Sequence, residues 1–490
     1  MPNKPFDPDF GSALDAAAAI RERTISAAEL TEHIFRRIDA FQPKLNAYVY
    51  QLRDQARAAA KSADESLARG GDQANGVFHG VPVNVKESFG VQGQPCTWGI
   101  PMFREARASM NSVAVDRLLK AGSVLLGATN VPFSLMDGQS FNEIYGTTNN
   151  PWDLERTPGG SSGGSAASLA AGLAFLSVGS DIGGSIRSPA SLSGVYGHKP
   201  TLDIVPTTGH LPGGMYGAPG FTTHLAAAGP MARTAADLEA ALGILAGPEM
   251  PDVKAMRWAL PAARRASLRD FRIGFVLEDP AVPVSPDTKA VLESAVRACE
   301  RAGATVKEGW PANFSFPDLL DTYTFMLGAF DFSMTPPMAK EFAKAQLASR
   351  PEPFRRGALS TFADWQTQNM KRLGYRARWE QYFRDFDVFL SPTTFTAAFK
   401  HDHSHADTRV LPIAEGVEAP FWNLITYIAP ATLTGCPATT APAGLTRGGL
   451  PVGLQIMGPY LEDATPIQFA ALLADEIGGF QPPPGFGPLG

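Results

Sequence analysis

Apolar residues near the start of the chain recur at the spacing of a helix. Ser26 and Glu29 form an S-x-x-E capping box, in which each side chain bonds a backbone N–H that the first helical turn leaves free. Apolar residues then follow every three or four positions from Leu30 to Phe41, as far as Pro43. This pattern predicts a helix, and we expect the N-terminal region to be largely helical.

After Gly76 the apolar period changes to two. Three valines alternate from Val81 to Val85, which predicts a strand that carries Lys86 near its end. Because proline donates no backbone hydrogen bond, Pro82 favours the start of that strand or an edge position in the sheet.

Helical and strand-like stretches alternate along the rest of the chain, as in a layered α/β domain. Predicted helices span about 111–121 and 288–302. Predicted strands span about 124–126, 271–276, 304–306, 385–392 and 450–457. The sequence shows no internal repeat and no long linker, so one large domain with a variable lobe is the simplest interpretation.

The composition excludes several classes of protein. Of the 490 residues, 48 are Gly and 41 are Pro, while 18% are charged and 44% are hydrophobic. The hydrophobic share is too high for a disordered chain, and a coiled coil would be rich in Glu, Lys and Ala at a fixed period. The net charge of −6, with both signs interspersed, offers no basic stripe for nucleic acid or an anionic membrane.

The cysteines and the apolar stretches bear on location. Cys96, Cys299 and Cys436 are far apart and form no paired motif, as is typical of a reducing compartment. The N-terminus has no apolar signal segment, and the longest apolar stretch, from about Leu169 to Val178, is shorter than a membrane span. We therefore expect a soluble cytoplasmic protein.

The residues between Thr157 and Gly197 differ in composition from the rest of the chain. They include ten Gly and ten Ser, and their only charged members are Asp181 and Arg187. A flexible linker would have such a composition, but it would not contain the apolar stretch described above. Glycine at this density inside folded structure indicates tight turns or close approach of the backbone to a ligand.

One short motif in this stretch offers an alternative chemistry. The residues from Gly159 to Gly163 match the G-x-S-x-G nucleophile elbow, which would make Ser161 the nucleophile of a Ser–His–Asp hydrolase. An elbow follows a hydrophobic strand, whereas the polar and proline-containing residues before Gly159 predict a loop. The glycine motifs of dinucleotide and phosphate sites are absent from this stretch, which disfavours phosphate binding there.

Several blocks of the sequence together resemble the amidase signature family. The central blocks are GGSSGGS at 159–165, GSDIGGSIRSP at 179–189 and GVYGHKPT at 194–201. Outside them, the matching segments are GVPVNVKE at 80–87, GATN at 127–130, LTGCPA at 433–438 and GLPVGLQIMG at 449–458. The resemblance covers nearly the whole chain and is weakest from about 250 to 420.

The resemblance implies the fold and the division of the chain. The expected fold class is α/β, with a large mixed β-sheet core covered by helices on both faces. We expect a single amidase domain over residues 1–490. Its regions would be an N-terminal helical region at about 1–75, a signature core at about 76–245, a variable lobe at about 250–420 and a C-terminal return to the core at about 421–480.

The family uses a Ser–cis-Ser–Lys triad, and the resemblance assigns its roles. Ser185 would be the nucleophile, Ser161 the bridging serine and Lys86 the base, with a cis peptide bond between Gly160 and Ser161. A lysine accepts a proton only when desolvation lowers its pKa, and the uncharged Gly and Ser surroundings would supply that desolvation.

The resemblance also implies an oxyanion hole. Its donors would be the backbone N–H groups of Ile182, Gly183, Gly184 and Ser185. Preorganised donors of this kind stabilise the charge that develops on the substrate carbonyl oxygen. We expect the two charged residues of the block, Asp181 and Arg187, to brace this loop through hydrogen bonds or an ion pair.

Two features outside these blocks are candidates for separate chemistry. His401, His403 and His405 have the spacing to face one side of a strand and bind a metal, but their polar neighbours favour a solvated loop. Cys96 has no evident base nearby, which favours a structural thiol over a second nucleophile.

Apolar residues outside the signature blocks are candidates for a substrate pocket. One is the aromatic and Met-rich run from Phe314 to Met338, although apolar spacing of this kind is equally typical of plain core. The segment from Phe133 to Gln139 is expected to face the site from the other side, by analogy with its position in the family.

The resemblance implies a hydrolase that cleaves the C–N bond of small to medium neutral acyl amides, with anilides and carbamates among the candidate substrates. The expected mechanism uses no metal or cofactor. Urethane or ester hydrolysis as the main activity, and a non-catalytic subunit of the same fold, remain alternatives. The transamidating subunit of the family fits less well, because the chain has no basic surface signal. We expect a small-molecule partner, no nucleic acid or membrane, and a monomer or homodimer.

Overall fold

A mixed β-sheet of eleven strands forms the centre of the computed structural model, which describes residues 6–70, 76–215, 217, 224–335 and 340–489. The strands of the described residues, in chain order, are β1 (Tyr48–Gln51), β2 (Pro82–Lys86), β3 (Val124–Thr129), β4 (Phe141–Asn142), β5 (Gly146–Thr147), β6 (Leu176–Asp181), β7 (Tyr196–Lys199), β8 (Ala227–Ala232), β9 (Arg272–Phe275), β10 (Thr305–Glu308), β11 (Val388–Pro392), β12 (Val410–Ala414), β13 (Val417–Pro420), β14 (Ala438–Leu445) and β15 (Pro451–Met457).

Helices connect most of these strands. Within the same ranges the α-helices are α1 (Ala13–Arg21), α2 (Ala27–Leu45), α3 (Arg53–Arg69), α4 (Val113–Lys120), α5 (Gly163–Ala170), α6 (Arg187–Ser193), α7 (Ala235–Leu245), α8 (Pro286–Arg301), α9 (Phe316–Met334), α10 (Lys340–Gln346), α11 (Glu352–Ala358), α12 (Phe362–Tyr382), α13 (Ala429–Thr434) and α14 (Ala464–Ile477). None of the helices in the described part of the chain is long and apolar enough to cross a membrane.

The strand order of the large sheet is β1-β3-β2-β6-β8-β7-β14-β15-β11-β9-β10. Strands β3, β2 and β6 run parallel, as do β11, β9 and β10, and the other neighbouring pairs are antiparallel. Parallel neighbours end at the same edge of a sheet. The ends of β2 and β6 therefore bring Lys86 and Asp181 to one edge.

The central strands are buried on both faces. Every residue of β2, β3, β6, β7 and β15 is buried, as expected for strands covered by helices on either side. Helix α5 packs against β2, β3, β6 and β8, and α6 packs against β7, β14 and β15. The predicted fold class, a large mixed sheet with helices on both faces, is confirmed.

The first predicted helix and strand are both present. Ser26 and Glu29 form the predicted capping box at the start of α2. The helix continues two residues past Pro43 and ends at Asn46, whose left-handed backbone (φ 49°) closes it. Pro82 is the first residue of β2, and β2 lies in the interior of the sheet, so the alternative of an edge position is wrong.

The Gly- and Ser-rich stretch is regular, buried structure. It contains α5, β6, α6 and β7, so it is not a flexible linker. Almost all of its residues are buried, and Ile182 and Gly183 are the partly exposed ones between Thr157 and Gly197.

Residues 250–420 contribute to the same sheet as the signature blocks. Strands β9, β10 and β11 extend it beyond β15, while α9 to α12 lie between β10 and β11 in the chain. The division of the chain into a helical region, signature core, variable lobe and C-terminal return remains a prediction.

Candidate active site

Lys86 is the last residue of β2 and lies at the centre of the candidate site. Its side chain is completely buried, with 0% exposure. The amine Nζ donates hydrogen bonds to Ser161 Oγ at 2.6 Å and to Ser180 Oγ at 2.9 Å. Both acceptors are neutral hydroxyls, so neither supplies a counter-charge.

Burial controls the protonation of Lys86. Desolvation lowers the pKa of the Lys86 amine to about 7, while the charge of Asp181 acts in the opposite direction and raises it. A lysine with a pKa near 7 has a substantial neutral fraction at neutral pH. The amine of Lys86 is thus able to accept a proton under those conditions.

Ser161 lies in the loop that precedes α5, next to Lys86. The peptide bond between Gly160 and Ser161 is cis, as the resemblance implied. No strand leads into this serine, since residues 157–160 form a loop, and the structural context of a nucleophile elbow is absent from this described segment. Ser161 is 1% exposed, so its hydroxyl is shielded from solvent.

Ser185 lies in the turn between β6 and α6. It is 8% exposed, more than Ser161 or Lys86, and is therefore the member of the three that substrate reaches most easily. The Ser162 N–H donates to the Ser185 carbonyl oxygen at 3.1 Å, which joins the two serine-bearing loops. Among the described residues, no hydrogen bond directly connects the Ser161 and Ser185 hydroxyls.

The turn before Ser185 carries the four predicted oxyanion-hole donors, whose role remains a prediction. The Gly184 N–H donates to Asp181 Oδ1 at 3.1 Å in this conformation. The N–H groups of Ile182, Gly183 and Ser185 make no hydrogen bond to other residues of the described ranges. These three remain candidates.

Glycine is required at the middle of this turn. Gly184 has a φ of 87°, and an added Cβ would lie 2.7 Å from Ser188 Oγ. At Gly183, by contrast, an added Cβ would meet only Ile425 at 3.5 Å and the Tyr323 hydroxyl at 3.9 Å. Ile425 and Tyr323 therefore lie beside the turn that carries Ser185.

Asp181 and Arg187 form a fully buried ion pair behind the turn. Arg187 Nη2 donates to Asp181 Oδ1 at 2.7 Å and Arg187 Nε donates to Oδ2 at 3.0 Å, with both side chains 0% exposed. Desolvation is the largest single influence on the pKa of Asp181 and raises it. The charge and hydrogen bonds of Arg187 act in the opposite direction, and the pKa is lowered overall. The carboxylate also accepts the Ile186 N–H at 3.1 Å, so the pair fixes the backbone around Ser185.

Arg187 is tied to the C-terminal part of the chain as well. Its guanidinium donates to the Ile428 carbonyl at 2.9 Å, to Gln455 Oε1 at 2.7 Å and to Thr432 Oγ1 at 2.7 Å. The buried guanidinium therefore donates hydrogen bonds to these groups as well as to Asp181, and a buried charge is tolerated only when it is paired and hydrogen-bonded in this way. The turn is thus anchored to β15 and α13.

Sequence reasoning missed two residues that contact the site. Ser180 accepts from Lys86, but ten serines of similar setting occur in this stretch, and none is distinguished by the sequence. The hydroxyl of Tyr323, on α9, donates to the Ile182 carbonyl at 2.9 Å and supports the turn from a distant part of the chain. The one sequence signal for this contact is that Tyr323 lies within the aromatic run from Phe314 to Met338.

Part of that aromatic run belongs to the core, whereas Phe330 and Phe332 are half-buried and Met334 is exposed. Phe325 and Met326 are buried in an apolar cluster that Ile182 and Ile425 also contact. Met338 lies outside the described residues. The run therefore meets the site through Tyr323 and the cluster around it.

The segment from Phe133 to Gln139 does adjoin the site. An added Cβ on Gly160 would lie 2.3 Å from the Asp137 carbonyl oxygen and 2.8 Å from the Gln139 nitrogen. This segment therefore packs directly against the residue that precedes Ser161.

The structure also describes the contacts of the candidate metal-binding histidines and the burial of Cys96. The rings of His401 and His403 are 6.0 Å apart, and His403 stacks on Phe141 at 4.1 Å. In the described part of the chain no group of three or more His, Cys, Asp or Glu side chains is placed to hold a metal ion. Cys96 is buried, and desolvation raises the pKa of its thiol to about 12, which makes it a poor nucleophile.

Known proteins resemble this chain over most of its length. Residues 29–466 match the family model Amidase. The chain is 32% identical over 474 residues to one subunit of the Glutamyl-tRNA(Gln) amidotransferase of Synechococcus sp. (strain CC9605), covering 91% of this chain and 92% of that protein. It is 31% identical over 476 residues to Indoleacetamide hydrolase of Bradyrhizobium diazoefficiens, covering 95% and 86%.

A solved structure has the same architecture. The bacterial aryl acylamidase of the amidase signature enzymes matches with a TM-score of 0.80 at 26% identity, covering 96% of this chain and 97% of that one. The family model spans both serine-bearing loops and the strand of Lys86. The chain belongs to the amidase signature family, whose enzymes act on C–N amide bonds.

Proposed function

We propose that this chain hydrolyses small to medium neutral acyl amides through an acyl-enzyme on Ser185, with Ser161 and Lys86 as the proton relay. The observation that supports it most directly is the 2.6 Å hydrogen bond from the Nζ of Lys86, which is 0% exposed, to Ser161 Oγ. The low pKa of the Lys86 amine, about 7, agrees with a base in this position.

The first half of the reaction forms the acyl-enzyme. The Ser185 hydroxyl attacks the carbonyl carbon and gives its proton to Ser161, whose own proton passes to the neutral Lys86 amine. The C–N bond then breaks as Ser161 returns a proton to the departing nitrogen and receives one from Lys86. The products of this half are a free amine and an ester of Ser185.

The second half repeats the relay with water. Water attacks the Ser185 ester, its proton passes through Ser161 to Lys86, and the same route returns a proton to Ser185 as the acid leaves. In both halves the N–H groups of Ile182, Gly183 and Ser185 stabilise the negative oxygen. Donors of this type contribute on the order of 3 kcal/mol each in the transition state.

The surroundings of the turn favour a neutral, apolar acyl or aryl group. Ile182 and Ile425 are partly buried against a cluster that includes Leu225, Leu319, Tyr323 and Phe325. An apolar wall of this kind binds hydrocarbon or aromatic surface and disfavours a charged group, which would lose its hydration. The names of two relatives, an indoleacetamide hydrolase and an aryl acylamidase, point in the same direction.

A second candidate function is that of an amidotransferase subunit. It is favoured by the 32% identity to one subunit of the Glutamyl-tRNA(Gln) amidotransferase of Synechococcus. That function would use an amide donor at the same serine and lysine, so the site chemistry alone does not separate the two candidates. Carbamate and ester hydrolysis would also use the same attack.

The same proposal includes the partners, the location and the oligomeric state of the enzyme. A net charge of −6 without a basic stripe fits a small-molecule substrate rather than nucleic acid or an anionic membrane surface. We propose a cytoplasmic enzyme that acts without a metal or cofactor, as a monomer or a homodimer.

Replacement of the nucleophile tests the mechanism. Ser185→Ala and Lys86→Ala are expected to lower acylation by about 10⁴-fold or more, because each removes a group that acts in the covalent step. The measurement is the rate of labelling by a fluorophosphonate, with the labelled peptide located by mass spectrometry. Ser188→Ala, which removes a buried hydroxyl that has no hydrogen-bond partner among the described residues, is the matched control and should label at the wild-type rate.

Two outcomes would contradict this assignment. Labelling on Ser161, together with loss of labelling in a single His→Ala variant, would support the Ser–His–Asp alternative instead. A wild-type protein that is never labelled would support a non-catalytic subunit.

The pH dependence of labelling tests the base. Lys86 accepts a proton only when neutral, so the labelling rate should rise with pH, with a midpoint near the pKa of about 7. His210→Gln should keep this midpoint, because burial lowers the pKa of that imidazole to about 3 and it is already neutral. A midpoint near 10, the ordinary range of lysine, would show that Lys86 is not desolvated in solution.

A substrate panel distinguishes the candidate functions. We expect anilides and arylacetamides to release amine faster than glutamine by about tenfold or more, because each well-buried apolar group contributes about 1–3 kcal/mol. Amine release from anilides, alkyl amides, glutamine and carbamates is the measurement. Glutamine as the best substrate would favour the amidotransferase function, and Ser185→Ala is the control for contaminating activity.

A further inference from the structure

A short segment before β4 supports the loop of Ser161 on both sides. The backbone of Asp137 and Gln139 leaves no room for a Cβ at Gly160, the residue bonded to Ser161. Ser140 Oγ donates to the Gly159 carbonyl at 3.0 Å and accepts the Gly163 N–H at 3.1 Å. One continuous segment, residues 137–140, thus contacts the chain just before and just after Ser161.

This segment is in turn held by residues far away in sequence. Asp137 accepts two hydrogen bonds from Arg409 Nη1, at 2.7 Å to Oδ1 and 2.8 Å to Oδ2. The Gln139 side chain donates to the Asp402 carbonyl at 2.6 Å and accepts the Asp402 N–H at 3.1 Å. The segment is therefore held against residues 402–409 by one ion pair and by two hydrogen bonds of the Gln139 side-chain amide.

Gly138 is enclosed by the same part of the chain. A Cβ at this position would lie 2.9 Å from Leu424 and 3.1 Å from Phe421. The close packing leaves the Asp137–Ser140 backbone little freedom to move away from Gly160 while residues 402–424 stay in place.

Arg409 has an environment that only an arginine satisfies. It is 4% exposed, its Nε donates to the Ser404 carbonyl at 2.9 Å, and its guanidinium lies over the Phe421 ring at 4.8 Å. A planar guanidinium donates in several directions while it stacks, whereas a lysine amine is a compact point charge. Neutralising Asp137 would leave this buried charge without its partner.

We propose that the Asp137–Arg409 ion pair positions Ser161 for proton transfer, by holding residues 137–140 against the loop that carries it. The inference rests on the proposed function, in which Ser161 is the relay between Ser185 and Lys86. Neither charged group touches the reacting atoms, so Asp137 and Arg409 are positioning residues. The pair makes the rate of the covalent step depend on residues 402–409, outside the signature blocks.

The test uses three variants of the full chain. Asp137→Asn and Arg409→Met each break the ion pair. Arg409→Lys keeps the charge but loses the several N–H donors of the planar guanidinium. Displacement of a catalytic group by about 1 Å costs up to a hundredfold, so kcat and the fluorophosphonate labelling rate should fall about ten- to hundredfold in the first two, with KM nearly unchanged. Arg409→Lys should recover part of that loss.

Asp387→Asn is the matched control for buried-charge effects. The Asp387 side chain is fully buried, and it accepts from Arg272 Nη2 at 2.8 Å at the start of β11, away from residues 137–140. Both Asp→Asn variants should lower the melting temperature, but only Asp137→Asn should lower kcat. If the two charge-breaking variants do not fold, Ser140→Ala, which removes only the hydroxyl contacts to the Ser161 loop, provides the same kcat comparison.

Four outcomes are decisive. Folded Asp137→Asn and Arg409→Met proteins with wild-type kcat would overturn the inference, and so would a rise in KM at constant kcat, which indicates a substrate contact instead. An equal loss of kcat in Asp387→Asn would show that the loss in Asp137→Asn comes from general destabilisation, and it would overturn the inference as well. A wild-type protein that is not labelled would contradict the proposed function itself, which separates that failure from this one.

Discussion

The burial of Lys86 is the constraint on which the rest of the site depends. Its amine is 0% exposed and donates to two hydroxyls, neither of which neutralises an ammonium charge. Desolvation lowers the pKa of the Lys86 amine to about 7, although the charge of Asp181 raises it. Asp181 is itself bound to Arg187 in a fully buried ion pair. The low pKa of the Lys86 amine therefore depends on its burial.

The sheet explains how distant parts of the chain meet at this point. Strands β2 and β6 are parallel neighbours, with Val85 opposite Val178, so their ends deliver Lys86 and Ser180 to the same edge. The turn after β6 then carries Ser185, while α5 places Ser161 beside Lys86 because it packs on the same strands. Glycine is needed where this backbone is crowded, as at Gly160 and Gly184.

Much of the site was predictable because its residues lie in short local blocks. Lys86 at a strand end, the two serines in Gly-rich turns and the cis bond before Ser161 follow from such blocks and the family they resemble. The engagement of the Gly184 N–H by Asp181 was not predictable, because it depends on where a side chain points. The helix α2 extends two residues past Pro43, a difference within the one or two residues by which helix ends are commonly uncertain.

Contacts between distant segments were beyond the reach of sequence patterns. The hydroxyl of Tyr323 reaches the Ile182 carbonyl across 141 positions, and Arg409 meets Asp137 across 272. Both distal residues come from the part of the chain where the family resemblance is weakest. Tyr323 contacts backbone of the Ser185 turn, and Arg409 contacts the carboxylate of Asp137, whose segment packs against the Ser161 loop. Residues 250–420 thus contact the supports of both the Ser161 and the Ser185 loops. Variation in that region is therefore expected to alter the rate of the covalent step as well as substrate choice.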